Sequence, residues 1–338
     1  MINMDNYVNN DKILHISSPL LNSLPRDNHI FTILNNNKKI LELFIFHNYI
    51  DSIIIYDKKS HDYYMRFEDS TKIFIDNRYF NFSFISREIL TFSQLNICDM
   101  IVYLINLGYY ILLPIDTNII NSYKEKMDFS HELMIVGYNQ VEKYFFINDF
   151  FDGVRYTTKK CSFEEIIESF SSHYKKNFKS KYDGLLAVKL KTDYDEKIDY
   201  LEIKNKLEKY LKLNFKKESN KNYGISIFDT IIEQLTNPIN YYAPLDFLKN
   251  KLNFIKNTIN LMIIRTNLID EASKGIIKDG LIKLLKRIEF LLNLCLKYII
   301  KDVKSSTNVN KKFIDEISNI KIEFIIVMNN FLKAINFE

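Results

Sequence analysis

The chain has 338 residues, 47% of them hydrophobic and 26% charged, with 46 Lys and Arg against 42 Asp and Glu. The apolar fraction excludes wholesale disorder, the length suggests about two domains, and a net charge of +4 gives no basis for nucleic-acid binding. Seven Gly and five Pro exclude collagen-like and low-complexity classes.

Three widely spaced cysteines, Cys98, Cys161 and Cys295, argue against a disulfide framework and fit a reducing cytoplasm. No C-x-x-C pair is present, and His15, His61 and His173 have no Cys or carboxylate at metal spacing. Neither a metal nor a cofactor is therefore expected. The N-terminal MINMDNYVNNDK shows no secretory pattern, and no apolar run reaches about 18 clean residues. A cytoplasmic protein without membrane insertion is expected.

Residues 30–36 read as a short helix opened by Arg26-Asp27-Asn28, where Asp or Asn can cap. ILELFIFHNYID reads as a second helix or buried segment, and residues 52–85 as short strands with polar breaks. Ile97, Met100, Ile101, Leu104 and Ile105 have helical spacing, and Gly108 falls where a C-cap belongs. YYILLPID, ELMIVGYN, KYFFIND and GLLAVKL follow at a rhythm suited to an antiparallel sheet. Ser162 and Glu165 form a capping-box pattern before a short amphipathic helix. Beyond about Thr192 the β signal fades. Leu281, Leu284, Ile288, Leu291 and Cys295, then Phe313, Ile317, Ile320 and Phe324, recur at three- and four-residue steps. The expected fold class is α+β over residues 1–200, followed by a helical bundle over 201–338.

The chemically suggestive stretch is His131-Glu-Leu-Met-Ile-Val-Gly-Tyr-Asn139, then Tyr144-Phe-Phe-Ile-Asn-Asp149. A His opens one apolar strand, Gly-Tyr-Asn reverses the chain, and an Asp closes the next strand. In an antiparallel hairpin those two ends meet. The carboxylate can then orient the imidazole and leave one ring nitrogen as a base, half of a cysteine-nucleophile triad.

These residues resemble the papain-like fold of bacteriocin-processing cysteine peptidases, and more closely the butirosin biosynthesis protein H N-terminal family. The later Tyr223-Gly-Ile-Ser-Ile-Phe-Asp segment is similar to the start of a helical tail in relatives from peptide-synthetase clusters. The resemblance implies a papain-like domain and an acyltransferase or peptidase of bacterial natural-product assembly. It implies a peptide or small-molecule substrate and an acyl carrier protein or peptide synthetase as partner. It also implies His131 and Asp149 as catalytic residues.

The family's nucleophile is a Cys at the start of the first domain helix. Here that region is LNSLPRDNHIFTILNN, without Cys, and Asp27, Asn28 and His29 stand near its place. Ser17, Ser18 and Ser23 lie upstream. Cys98 is the candidate substitute, since it sits near a helix start and precedes His131 and Asp149 in chain order. Its alternative is burial on the stripe of Ile97, Ile101 and Ile105. Three functional readings stay open: an acyltransferase or peptidase, a catalytically inactive papain-like scaffold, and an unrelated α+β protein with a helical interaction domain in which the His–Asp pair is coincidence. An activated thioester also allows direct aminolysis, with His131 as base and no enzyme nucleophile.

Overall fold

The computed structural model describes residues 10–21, 24–58, 62–68, 78–92, 96–124, 126, 131–153, 155–176, 183–212, 220–237, 244–301 and 307–335. In chain order the first elements are β1 (Asp11–Ile13), α1 (Pro25–Leu34), α2 (Lys38–His47), β2 (Ser52–Asp57), β3 (Asp62–Phe67) and β4 (Phe80–Ser86). Next come α3 (Arg87–Phe92), α4 (Ile97–Asn106), β5 (Tyr110–Ile115), β6 (His131–Asn139), β7 (Tyr144–Asp149) and β8 (Thr157–Ser162). They are followed by α5 (Phe163–Lys175), β9 (Gly184–Leu190), α6 (Tyr200–Leu211) and β10 (Lys221–Tyr223). The chain continues with α7 (Ile227–Thr236), α8 (Pro244–Arg265), α9 (Glu271–Ile300) and α10 (Thr307–Ala334).

Two compact units result, one from Met1–Leu41 with Phe74–Asp195 and one from Glu42–Ile73 with Glu196–Glu338. The first is built on an antiparallel sheet in the order β4-β9-β5-β6-β7-β8, with β1 also paired to β6. Its central strands are short apolar runs, and every residue of β5 is buried. One core packs Ile111, Leu113 and Leu133 of the sheet against Ile101 and Ile105 of α4 and Ile166 of α5.

Local signals explain how these helices are bounded. In α4 the Asn96 side chain accepts from the Cys98 N–H. At its other end Gly108 has φ +84°, its N–H bonds to the Ile105 carbonyl, and the Tyr109 N–H reaches the Leu104 carbonyl. This is a Schellman motif, and its left-handed residue is the expected Gly. The expected capping box of α5 is present in both directions between Ser162 and Glu165. By contrast α1 starts earlier than expected: Pro25 takes its first turn and Leu24 offers no side-chain cap. Asp27 and Asn28 therefore lie inside the helix and are buried.

Gly-Tyr-Asn is not the hairpin turn. Gly137, Tyr138 and Asn139 remain in β6, which shifts register between Ile135 and Gly137, and the turn falls at residues 140–143. The reason is β1, whose Ile13 pairs with Gly137. A Cβ on Gly137 would come within 2.5 Å of the Lys12 carbonyl oxygen. The glycine permits a close strand approach rather than a reversal.

The second unit combines a three-stranded sheet, β10-β2-β3, with helices α6 to α10. The domain border expected at residue 200 lies near the crossing at Asp195, but residues 1–200 are not one unit. Glu42–Ile73 joins the C-terminal region because Ile53, Ile54 and Ile55 of β2 pair with Tyr223, Asn222 and Lys221. An isolated two-stranded hairpin has too little core of its own. Short β10 also extends β structure beyond the limit read from the sequence. The predicted stripes of α9 and α10 are buried, from Leu281 to Cys295 and from Phe313 to Phe324. Among the described residues, no helix is long and apolar enough to cross a membrane.

Candidate active site

Strand β6 opens at His131 and β7 closes at Asp149, so antiparallel pairing brings these ends together. The register sets Ile135 opposite Ile147 and Met134 opposite Asn148. One more step places Asp149 across from Leu133, with His131 diagonal to it on the same face. His131 Nε2 lies 2.5 Å from Asp149 Oδ2. The imidazole side chain is 10% exposed and the carboxylate is fully buried.

Other groups hold the carboxylate in place. Its Oδ1 accepts from the Phe150 N–H at 2.7 Å, and Oδ2 accepts from the Tyr123 hydroxyl at 2.5 Å. Burial alone would raise the Asp149 carboxyl. The hydrogen bond and charge of His131, the charge of His29 and the Tyr123 hydroxyl together hold it below its ordinary value. The Tyr123 ring meets His131 edge-on with centroids 5.6 Å apart, and it packs on Phe151 at 5.0 Å.

Strand alternation turns Glu132 to the other face, where α1 supplies its partner. Arg26 grips Glu132 with two bonds, Nε to Oε1 at 3.0 Å and Nη2 to Oε2 at 2.8 Å. One turn along α1, fully buried His29 has Nδ1 2.6 Å from the Tyr156 hydroxyl. Its Nε2 lies 3.4 Å from the Glu132 backbone carbonyl. Burial lowers the His29 imidazole, against the opposing charges of Asp149 and Glu132, and His131 adds to the lowering. Burial also pushes the Tyr156 phenol far up, reinforced by the Asp149 charge.

A pH effect on stability follows from His29. Its folded-state value lies below the ordinary 6.5, so the unfolded chain takes up this proton first. The stability from burying a neutral His29 is fully present above pH 6.5 and is lost as pH falls through the depressed folded value. His173, also lowered chiefly by burial, acts in the same direction. Asp149 differs, because its contribution persists above its ordinary 3.8 and fades only below that. Urea midpoints measured from pH 7 to pH 4.5 should therefore decline, and less steeply in His29→Gln. Equal slopes in the two proteins would contradict this account.

Cys98, the candidate nucleophile, belongs to the packing core rather than to this cluster. It is 2% exposed, and its Sγ points to the Phe163 carbonyl at 3.7 Å. Burial pushes its thiol up to about 12, with Asp99 and Glu164 adding to the rise. A nucleophilic cysteine needs the opposite environment, so the catalytic assignment of Cys98 is corrected to a core role. Cys161 and Cys295 are likewise buried, and burial raises both thiols. Ser17 does not replace the thiol, because its hydroxyl bonds Asn36 beyond the far end of α1. Ser23 lies outside the described residues. Among the described residues, no group of His, Cys, Asp and Glu side chains is arranged to hold a metal ion.

Sequence reasoning paired His131 with Asp149, and the structure brings them together. It missed Tyr123, Tyr156 and Arg26, which reach the cluster from loops and from α1 without a local motif. His29, which stands near the place of the family's nucleophile, is fully buried and adjoins the pair. No protein-family model matches this sequence, and no curated protein matches it.

Proposed function

We propose that this chain carries a papain-like unit and acts as a cysteine-peptidase-like acyltransferase of bacterial natural-product assembly, without a cysteine nucleophile. The observation that carries the reading is the short His131–Asp149 hydrogen bond to a fully buried carboxylate, with no cysteine among the described residues bonded to the pair. A base-and-orienter pair without a thiol suits direct aminolysis of an acyl thioester. In that step His131 Nδ1 takes a proton from the attacking amine while its nitrogen bonds to the thioester carbon. The carbon–sulfur bond breaks, and the departing sulfur takes that proton from His131. The products are an amide and a free thiol. The acyl donor is then an acyl carrier protein or the carrier domain of a peptide synthetase, and three free cysteines suit the cytoplasm where such donors work.

The competing reading is a catalytically inactive papain-like binding or scaffolding protein. It is favoured by the small exposure of His131 beneath the Tyr123 ring. Transfer from a carrier-bound acyl thioester to an amine separates the two. A positioned base contributes about 10²–10⁴-fold, and His131→Ala should lose that factor. Cys98→Ala should transfer at nearly the parent rate, whereas a covalent route would be abolished. Full activity in His131→Ala would end the catalytic reading in favour of a binding protein.

A further inference from the structure

The geometry points to Tyr123 as a positioning residue. Bonded to Asp149 and packed against the imidazole, it fixes the ring orientation of His131, so that Nδ1 is presented as the base. As a statement about side chains the inference stands alone, but its consequence for rate rests on the acyl-transfer reading.

The argument is a count of hydrogens around one carboxylate. Asp149 Oδ1 accepts from the Phe150 N–H, and that bond anchors the carboxylate to its own backbone. Oδ2 receives both Tyr123 and His131, each at 2.5 Å. The phenol has one hydrogen, and Asp149 is where it points. Burial and the Asp149 charge keep that phenol protonated. An ionised Asp149 then has only lone pairs to offer, so Nε2 must carry the imidazole hydrogen. Nδ1 is left with its lone pair, and it makes no hydrogen bond among the described residues. Tyr123 also sets the ring plane, since its own ring stands at 83° to His131 and rests on Phe151.

The same bond tempers the field at His131. A carboxylate that shares its charge with a phenol attracts an imidazolium less than a bare one does. The remaining groups around the pair leave that balance to Tyr123. Glu132 on β6 is matched by Arg26 of α1, and His29 of α1 is held neutral against the Tyr156 hydroxyl. Cys161 on β8, beside Tyr123, has a buried thiol that stays protonated.

Nitrogen-15 NMR of the histidine rings in the full chain tests this directly. Near neutral pH in the parent protein, His131 should be the Nε2–H tautomer, with a downfield Nε2–H proton signal from its bond to Asp149. In Tyr123→Phe the carboxylate loses a competing donor, so that signal should move further downfield while the tautomer stays Nε2–H. Aminolysis should show a reduced kcat with KM little changed, because the ring has lost its edge-on support. An Nδ1–H tautomer in the parent would mean that Asp149 carries the proton, and would overturn the inference even if the variant fails to fold. An unaltered Nε2–H signal and kcat in Tyr123→Phe would overturn it equally. A shifted signal beside full transfer activity in His131→Ala would sink the acyl-transfer reading alone.

Discussion

Asp149→Ala is expected to destabilise the α+β unit by about 3–5 kcal/mol, the cost of removing one partner from a buried charged network. The carboxylate is fully buried and takes hydrogen bonds from Tyr123, His131 and the Phe150 N–H. Alanine leaves all three donors without their acceptor. Tyr123 suffers most, because its hydroxyl is enclosed by the core and has nowhere else to turn. His29 also loses the nearby negative charge that opposes its lowering. Asp149→Asn keeps an acceptor oxygen and most of the volume, and should lose about half as much or less. The chain contains no Trp, so urea unfolding followed by circular dichroism and tyrosine fluorescence is the suitable measurement. A loss below about 1 kcal/mol would show that the cluster is solvated and not a buried network.

The His131–Asp149 pair was legible because a hairpin maps separation along the chain onto proximity. A residue opening one strand and a residue closing the next must meet whatever else surrounds them. The last turn of α4 and the start of α5 were legible for a related reason, since Gly108 and the Ser162–Glu165 box act over a few residues. Tyr123, Arg26 and Tyr156 carry no such mark. Each reaches the site by tertiary packing, and a tyrosine in an aromatic-rich sequence draws no notice. Gly137 misled for the same reason. Glycine before Tyr-Asn has the look of a turn, and only the distant partner Ile13 shows that it serves a close strand contact. The assignment of β2 and β3 was equally hidden. Strand periodicity gives a segment's local shape but not which sheet receives it, and β10 is only three residues long. Cys98 fell to burial because its stripe positions, not its place at a helix start, decided its surroundings.

In the second unit the largest effect is expected from Phe324→Ala, at about 3–5 kcal/mol. Phe324 is 1% exposed and continues the α10 stripe of Phe313, Ile317 and Ile320. Its ring meets Tyr210 of α6 edge-on and lies beside Phe228 of α7, both at 6.2 Å between centroids. One side chain thus joins three helices. Around it the packing is already imperfect. A cavity of about 10 Å³ is bounded by Phe324, Tyr210, Phe228, Met65 and Thr258, enough for one water at most. Removing the ring extends that void into a dry, mostly apolar space, so the lost contacts are not replaced by solvent. Collapse is limited, because Tyr210 is itself buried. Phe324→Leu keeps most of the volume and should cost about 1.5 kcal/mol or less. Thermal and urea unfolding give the two losses. Xenon or benzene should restore part of the stability of Phe324→Ala and leave the parent protein unchanged. If Phe324→Ala lost no more than Phe324→Leu, α6, α7 and α10 would have to repack freely, and the ring would not be their common anchor.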